Sequence, residues 1–88
     1  MENKIIIQSM KYLLFTSEQC VPCKNVKREY EEKYSTKLKI EFIDIFDNIE
    51  LSRKYLIRSA PTLLILKDSD VSSKHIGAGQ IIEFLNKL

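Results

Sequence analysis

The stretch YLLFTSEQCVPCKNVKREYEEKY, Tyr12 to Tyr34, changes its hydrophobic period once, and both cysteines of the 88-residue chain lie at the change. Tyr12 to Thr16 is a short, nearly continuous apolar run rich in strand formers, which suits a strand buried on both faces. From Val21 onward, Cys23, Val26, Tyr30 and Tyr34 recur at steps of three and four with charged residues between them. Val21 to Tyr34 is therefore predicted to be an amphipathic helix. A helix beginning at Val21 makes Cys20 its N-cap and puts Cys23 in its first turn. Pro22 suits that turn, because the N–H it lacks would have no helical partner there.

This placement gives the two thiols unequal surroundings. Unpaired backbone N–H groups and the positive end of the helix dipole face Cys20, which favours the anionic thiolate, the form that attacks disulfides. Cys23 shares the apolar stripe with Val26 and Tyr30 and should point inward. One exposed and one covered sulfur suit a two-step exchange, in which Cys20 attacks and Cys23 resolves the mixed disulfide. Lys24, Lys27 and Arg28 add positive charge near the site, either as electrostatic support for a negative sulfur or as a solvated face.

The remaining chain continues an alternation. Ile40, Phe42 and the residues around Ile43 and Ile45 read as a second strand. Asp47, with Glu50 three residues on, reads as a capping box that opens a helix running to about Leu56. Strand, helix, strand, helix in this order predicts a parallel strand pair joined across the cysteine-bearing helix. Thr62 to Leu66 is a dense apolar strand, Lys67 to Asp70 a polar turn and Val71 to Ile76 a weaker strand, together an antiparallel hairpin. After Gly77, Ala78 and Gly79, the residues Ile81, Ile82, Leu85 and Leu88 form the stripe of a closing helix. Ile5 to Met10 is ambiguous, with strand-forming isoleucines but helical spacing between Ile6 and Met10.

Composition narrows the class. Eighty-eight residues make one small domain, 1–88, and 44% hydrophobic with 30% charged residues is the balance of a globular protein. A net charge of +2, with lysines interspersed among glutamates, gives no electrostatic footprint for nucleic acid. The N-terminal apolar run is too short for a signal peptide or a membrane span, so a cytoplasmic protein with no membrane partner is expected. In a reducing compartment a cysteine pair points to catalysis or metal rather than to a structural disulfide. Structural zinc takes four ligands, and two cysteines with His75 as the one histidine do not supply them. Tyr30, Tyr34 and Tyr55 are read as packing residues.

With these residues in place, the chain resembles the thioredoxin family. The match lies in Cys20-Val21-Pro22-Cys23-Lys24 on a strand-to-helix turn, and independently in IRSAPTLLILKDSDVSSKHIGAGQIIEFL, Ile57 to Leu85. The resemblance implies a thioredoxin-like α/β fold: a central four-stranded mixed sheet flanked by helices, with an N-terminus trimmed by one strand and one helix. It implies a cis bond before Pro61, Ala60 offering backbone hydrogen bonds to an extended peptide, and a substrate platform of Val21, Pro22, Ala60, Pro61 and Gly77. Gly77 is expected to permit close backbone approach.

The resemblance further implies reversible thiol–disulfide exchange with no metal or organic cofactor. The partners would be disulfide-containing proteins and an electron-donating reductase or glutathione; nothing in the sequence demands a dimer, so a monomer is expected. Three departures stand out. Gln19 replaces the tryptophan usual before the first cysteine, Leu14 the buried aspartate beneath the second, and Phe42 the lysine near that aspartate. Val21-Pro22 is not the Pro-Tyr pair of glutaredoxins, so a protein dithiol reductase is preferred. The other readings are a glutaredoxin-like donor dedicated to one enzyme, such as ribonucleotide reductase, and a thioredoxin-like binding module without turnover.

Overall fold

The computed structural model describes residues 9–88, so the ambiguous Ile5 to Ile7 lie outside the described residues. Four strands, β1 (Met10–Thr16), β2 (Ile40–Asp44), β3 (Thr62–Lys67) and β4 (Asp70–Ile76), form one mixed sheet in the order β2-β1-β3-β4. β1 lies parallel to β2, with Tyr12 opposite Ile40 and Thr16 opposite Asp44, and antiparallel to β3. Leu13, Leu14 and Phe15 are all buried, as a strand covered on both faces requires.

Three helices provide the cover: α1 (Val21–Glu29), α2 (Ile49–Lys54) and α3 (Ala78–Asn86). One core layer joins Leu14, Leu63 and Ile65 of the sheet to Val26 of α1 and to Ile81 and Leu85 of α3. The opposite layer packs Leu13, Phe15, Leu64 and Leu66 with Leu51 and Tyr55 at α2. Each fully buried Leu or Ile contributes about 1.5–3 kcal/mol by leaving water, which makes these two layers the main source of stability.

The helix expected over Val21 to Tyr34 is helical throughout but changes pitch, with a wider π turn over Tyr30–Tyr34. Two tyrosines read as packing residues also make polar ties. The Tyr30 hydroxyl donates to the Leu38 carbonyl at 2.8 Å and accepts from the Ile40 N–H at 3.1 Å, and the Tyr34 hydroxyl bonds the Asn86 side chain of α3. The chain leaving α1 is thereby fixed to the start of β2 and to the last helix.

Two expectations fail in detail. The capping box at Asp47 and Glu50 does not form: α2 starts after Asn48 with no side-chain cap. The local donors instead go to Asp44, whose Oδ1 accepts from the N–H groups of Phe46 and Asp47 at 2.8 and 3.2 Å. Leu88 lies beyond α3 and is exposed, because the helix ends at Asn86.

The hairpin turn is tighter than the four polar residues suggested. Asp68 and Ser69 both have positive φ, 51° and 76°, the geometry whose twist matches that of the flanking strands. The turn is also anchored to the start of β1. Ser9 N–H donates to Asp68 Oδ1 at 2.9 Å, and Asp68 N–H donates to the Ser9 carbonyl at 2.8 Å.

Candidate functional site

β1 delivers the chain into the turn Ser17 to Gln19, and Cys20 follows as the N-cap of α1 in an extended conformation, φ −95° and ψ 105°. A cap residue with an acceptor side chain satisfies an unpaired N–H of the first turn. Here the acceptor is sulfur: the Cys23 N–H donates to Cys20 Sγ at 3.1 Å. Pro22 occupies the first turn, and no acidic residue of that turn competes for the helix end.

Cys20 and Cys23 are joined as a disulfide, with their Cα atoms 5.2 Å apart. Cys20 is partly exposed, whereas Cys23 is 3% exposed on the buried stripe with Val26. This is the asymmetry expected from the sequence.

The facing wall comes from the segment between α2 and β3. The Ala60–Pro61 peptide is cis. The Thr62 hydroxyl donates to the Ser59 carbonyl at 2.8 Å, closing the turn, and the Gly77 N–H donates to the Pro61 carbonyl at 2.9 Å. The Ala60 carbonyl lies 3.6 Å from Cys20 Sγ. A disulfide sulfur carries no proton, so in this form the approach is a contact; a reduced thiol there has an acceptor in reach.

Around the disulfide, Val21 is 64% exposed, Pro22 is exposed, and Ala60 and Gly77 are partly exposed. Pro61 itself is buried, so it shapes the wall rather than presenting its ring. At Gly77 an added Cβ would meet no atom of the chain within 4 Å, and what requires glycine within the fold itself is its φ of +91°. Ile76, 51% exposed at the end of β4 and opposite Thr62, extends the apolar rim. The sequence marked it only as the end of a weak strand.

Two of the cations border a second cleft beside the site. Lys24 and Lys27 line a cleft of about 220 Å³ with Thr16, Ser17, Glu18 and Phe42, and the cysteine that opens onto it is Cys23, not Cys20. The Lys27 ammonium lies 5.4 Å from the centre of the Phe42 ring. Leu14, in the place the resemblance gives to an aspartate, is fully buried in apolar surroundings. His75 stays away from the sulfurs: its ring packs on Phe84 at 4.8 Å and its Nε2 is 3.1 Å from Ser73 Oγ.

On the other flank, Gln19 shares a cleft of about 300 Å³ with Glu18, Asp44, Phe46 and Asp47. Phe46 is 70% exposed beside it. No sequence pattern marked Phe46, since it belongs to neither a strand nor a helix. Among the described residues, no three His, Cys, Asp or Glu side chains converge as a metal site, and no helix is long and apolar enough to cross a membrane.

The family model for thioredoxin matches residues 2–87 of the chain. The chain is 39% identical over 66 residues to a thioredoxin of Bacillus subtilis, a match covering 72% of this chain and 64%, under two thirds, of that relative. It is 35% identical over 92 residues to a thioredoxin of Buchnera aphidicola, covering 96% of this chain and 84% of the relative. Its fold matches the solved thioredoxin of Fasciola hepatica with a TM-score of 0.74 at 23% identity, over 89% of this chain and 79% of that one.

Proposed function

The chain belongs to the thioredoxin family, whose members are protein-disulfide oxidoreductases, and on that premise we propose that it reduces protein disulfides through a Cys20/Cys23 cycle. The observation that carries this reading is the position of Cys20: at the N-cap of α1, with the Cys23 N–H directed at its sulfur and the Ala60 carbonyl opposite. A helix N-terminus and a donated hydrogen bond both favour the thiolate over the thiol.

In the first step the Cys20 thiolate attacks one sulfur of a substrate disulfide. The other substrate sulfur leaves as a thiolate and takes a proton from water. Cys23 then loses its proton and attacks Cys20 Sγ, displacing the second substrate sulfur and closing the Cys20–Cys23 bond. The second substrate sulfur also leaves as a thiolate and takes a proton from water; two electrons have passed from the cysteine pair to the substrate, and the protons released to water by Cys20 and Cys23 balance the two taken up. Val21, Pro22, Ala60 and Gly77 form the platform on which an extended segment lies, and Pro61 acts by placing Ala60. Thioredoxins are reduced by thioredoxin reductase, and such a reductase is the proposed donor here. The working compartment proposed is the cytoplasm, where a redox-active cysteine pair is kept reduced. The working form proposed is a monomer, since Cys20, Cys23, Ala60 and Gly77 come together within one chain.

Insulin disulfide reduction tests this. Turnover should be abolished by Cys20→Ser and sustained by NADPH with thioredoxin reductase. Turnover sustained by glutathione alone would instead assign the chain to glutathione-linked chemistry. No turnover with any donor would leave a binding module or a donor dedicated to one enzyme.

A further inference from the structure

The resolving step needs a second thiolate, and Cys23 sits where one is hard to form. It is 3% exposed and shares the buried stripe of α1 with Val26, whose layer of the core, Leu14, Leu63 and Ile81 among it, holds no charge. Burial in apolar surroundings disfavours a thiolate. The cleft of about 220 Å³ is the polar side of this cysteine. The charged groups facing it are Glu18 from the loop after β1 and Lys24 and Lys27 from α1. β1 and its end add the hydroxyls of Thr16 and Ser17, and β2 contributes the uncharged Phe42.

Of the two cations, Lys27 has the geometry. Residues 23 and 27 lie one turn apart on the same helix face, and helical side chains lean toward the N-terminus, so the Lys27 chain runs back over the turn that holds Cys23. Lys24 is the next residue after Cys23 and points about 100° further around the helix. Phe42 keeps the Lys27 ammonium at the cleft by a cation–π contact of 5.4 Å, and its own ring is braced by Tyr30 at 5.9 Å.

We propose that Lys27, held over Phe42 at the mouth of the cleft, is a positioning residue for the resolving step that stabilises the Cys23 thiolate. The proposal rests on the assignment of Cys23 as the resolving thiol. In that step the Cys23 proton passes to water in the cleft and the Cys23 sulfur bonds to Cys20 Sγ. The bond from Cys20 to the substrate breaks, and the substrate sulfur leaves as a thiolate. The cation lowers the free energy of the anion without itself exchanging a proton.

The test is a single turnover against an aromatic disulfide whose released thiolate is coloured, followed by stopped flow across pH. The first release reports attack by Cys20 and the second reports resolution by Cys23, and Cys23→Ser must lose the second. Lys27→Met is expected to slow the second release about threefold at neutral pH, the size of a modest charge effect at a partly solvated site, and to move its pH midpoint upward. The first release should be unchanged, Lys27→Arg should restore the second, and Phe42→Leu should shift it the same way by less. A native second phase in Lys27→Met, equal slowing of both phases, or Lys27→Arg as slow as Lys27→Met would each overturn the proposal. A native protein without a second release would instead overturn the Cys20/Cys23 cycle, and the proposal with it.

Discussion

The Gly77 N–H donates to the Pro61 carbonyl at 2.9 Å, which pins the end of β4 to the turn that faces Cys20. Gly77 holds φ 91° and ψ 153°, a region almost closed to residues with a Cβ. Gly77→Ala is expected to cost about 1–3 kcal/mol through this torsion alone, since the space beside it is open. Urea unfolding should show a lower midpoint at constant slope, and insulin reduction by the folded fraction should slow as Ala60 shifts. Unchanged stability would remove the torsional explanation.

Cys23→Ser keeps the N-cap and its exposed sulfur but lacks the group that resolves. Incubated with a disulfide-bonded protein, it should accumulate a covalent adduct through Cys20, visible by non-reducing electrophoresis and lost with thiol. Cys20→Ser should form none. An adduct carried by Cys23 in the Cys20→Ser protein would reverse the assigned roles.

Leu14 is fully buried between strand neighbours and α1. Leu14→Ala is expected to destabilise by about 2–5 kcal/mol, from lost transfer energy and the cavity left behind. Small domains have about 5–15 kcal/mol in total, so thermal unfolding should begin far below the native transition. A loss under about 1 kcal/mol would mean the layer collapses around the cavity.

Leu56, just past the Tyr55 cap of α2, takes a left-handed conformation, φ 56°, while the next residue, Ile57, donates its N–H to the Ser52 carbonyl at 2.8 Å. Its side chain is exposed and contributes little to offset that conformation. Leu56→Gly should therefore raise stability by up to about 1 kcal/mol, read as a higher thermal midpoint. A lower midpoint would show that the leucine packs better than its exposure suggests.

The two core tyrosines should respond unequally to loss of their hydroxyls. Tyr34→Phe removes one bond to Asn86 and is expected to cost about 1 kcal/mol. Tyr30→Phe strands the Leu38 carbonyl and the buried Ile40 N–H together, and should cost more. Denaturant curves of the two variants provide the comparison, and the reverse order would contradict it.

Much of the fold was legible because local patterns agreed with tertiary demands. The shift of period between Thr16 and Val21 located β1, the N-cap and the inward stripe, since burial on two faces and burial on one helical face leave different spacings. What stayed hidden depends on partners distant in sequence. Asp47 and Glu50 have the right separation for a capping box, but Asp44 takes the nearby N–H groups first. Lys24 and Lys27 are charges near a cysteine in the sequence; the cleft that they line with Cys23 exists only where β2 brings Phe42 alongside. Tyr30 and Tyr34 have helical spacing, yet the carbonyl, N–H and amide they meet come from beyond the helix. Pro61 and Gly77 were recognisable by family pattern, but the hydrogen bond that joins them needed the sheet.

The Cys23 N–H that caps onto Cys20 Sγ in the oxidised protein is already aimed where negative charge gathers once the bond opens. A hydrogen bond to a neutral sulfur becomes a charge-assisted one, with the same two atoms and the same helix end. The oxidised protein thus already carries the socket that the anion of the reduced pair requires, before any electron has arrived.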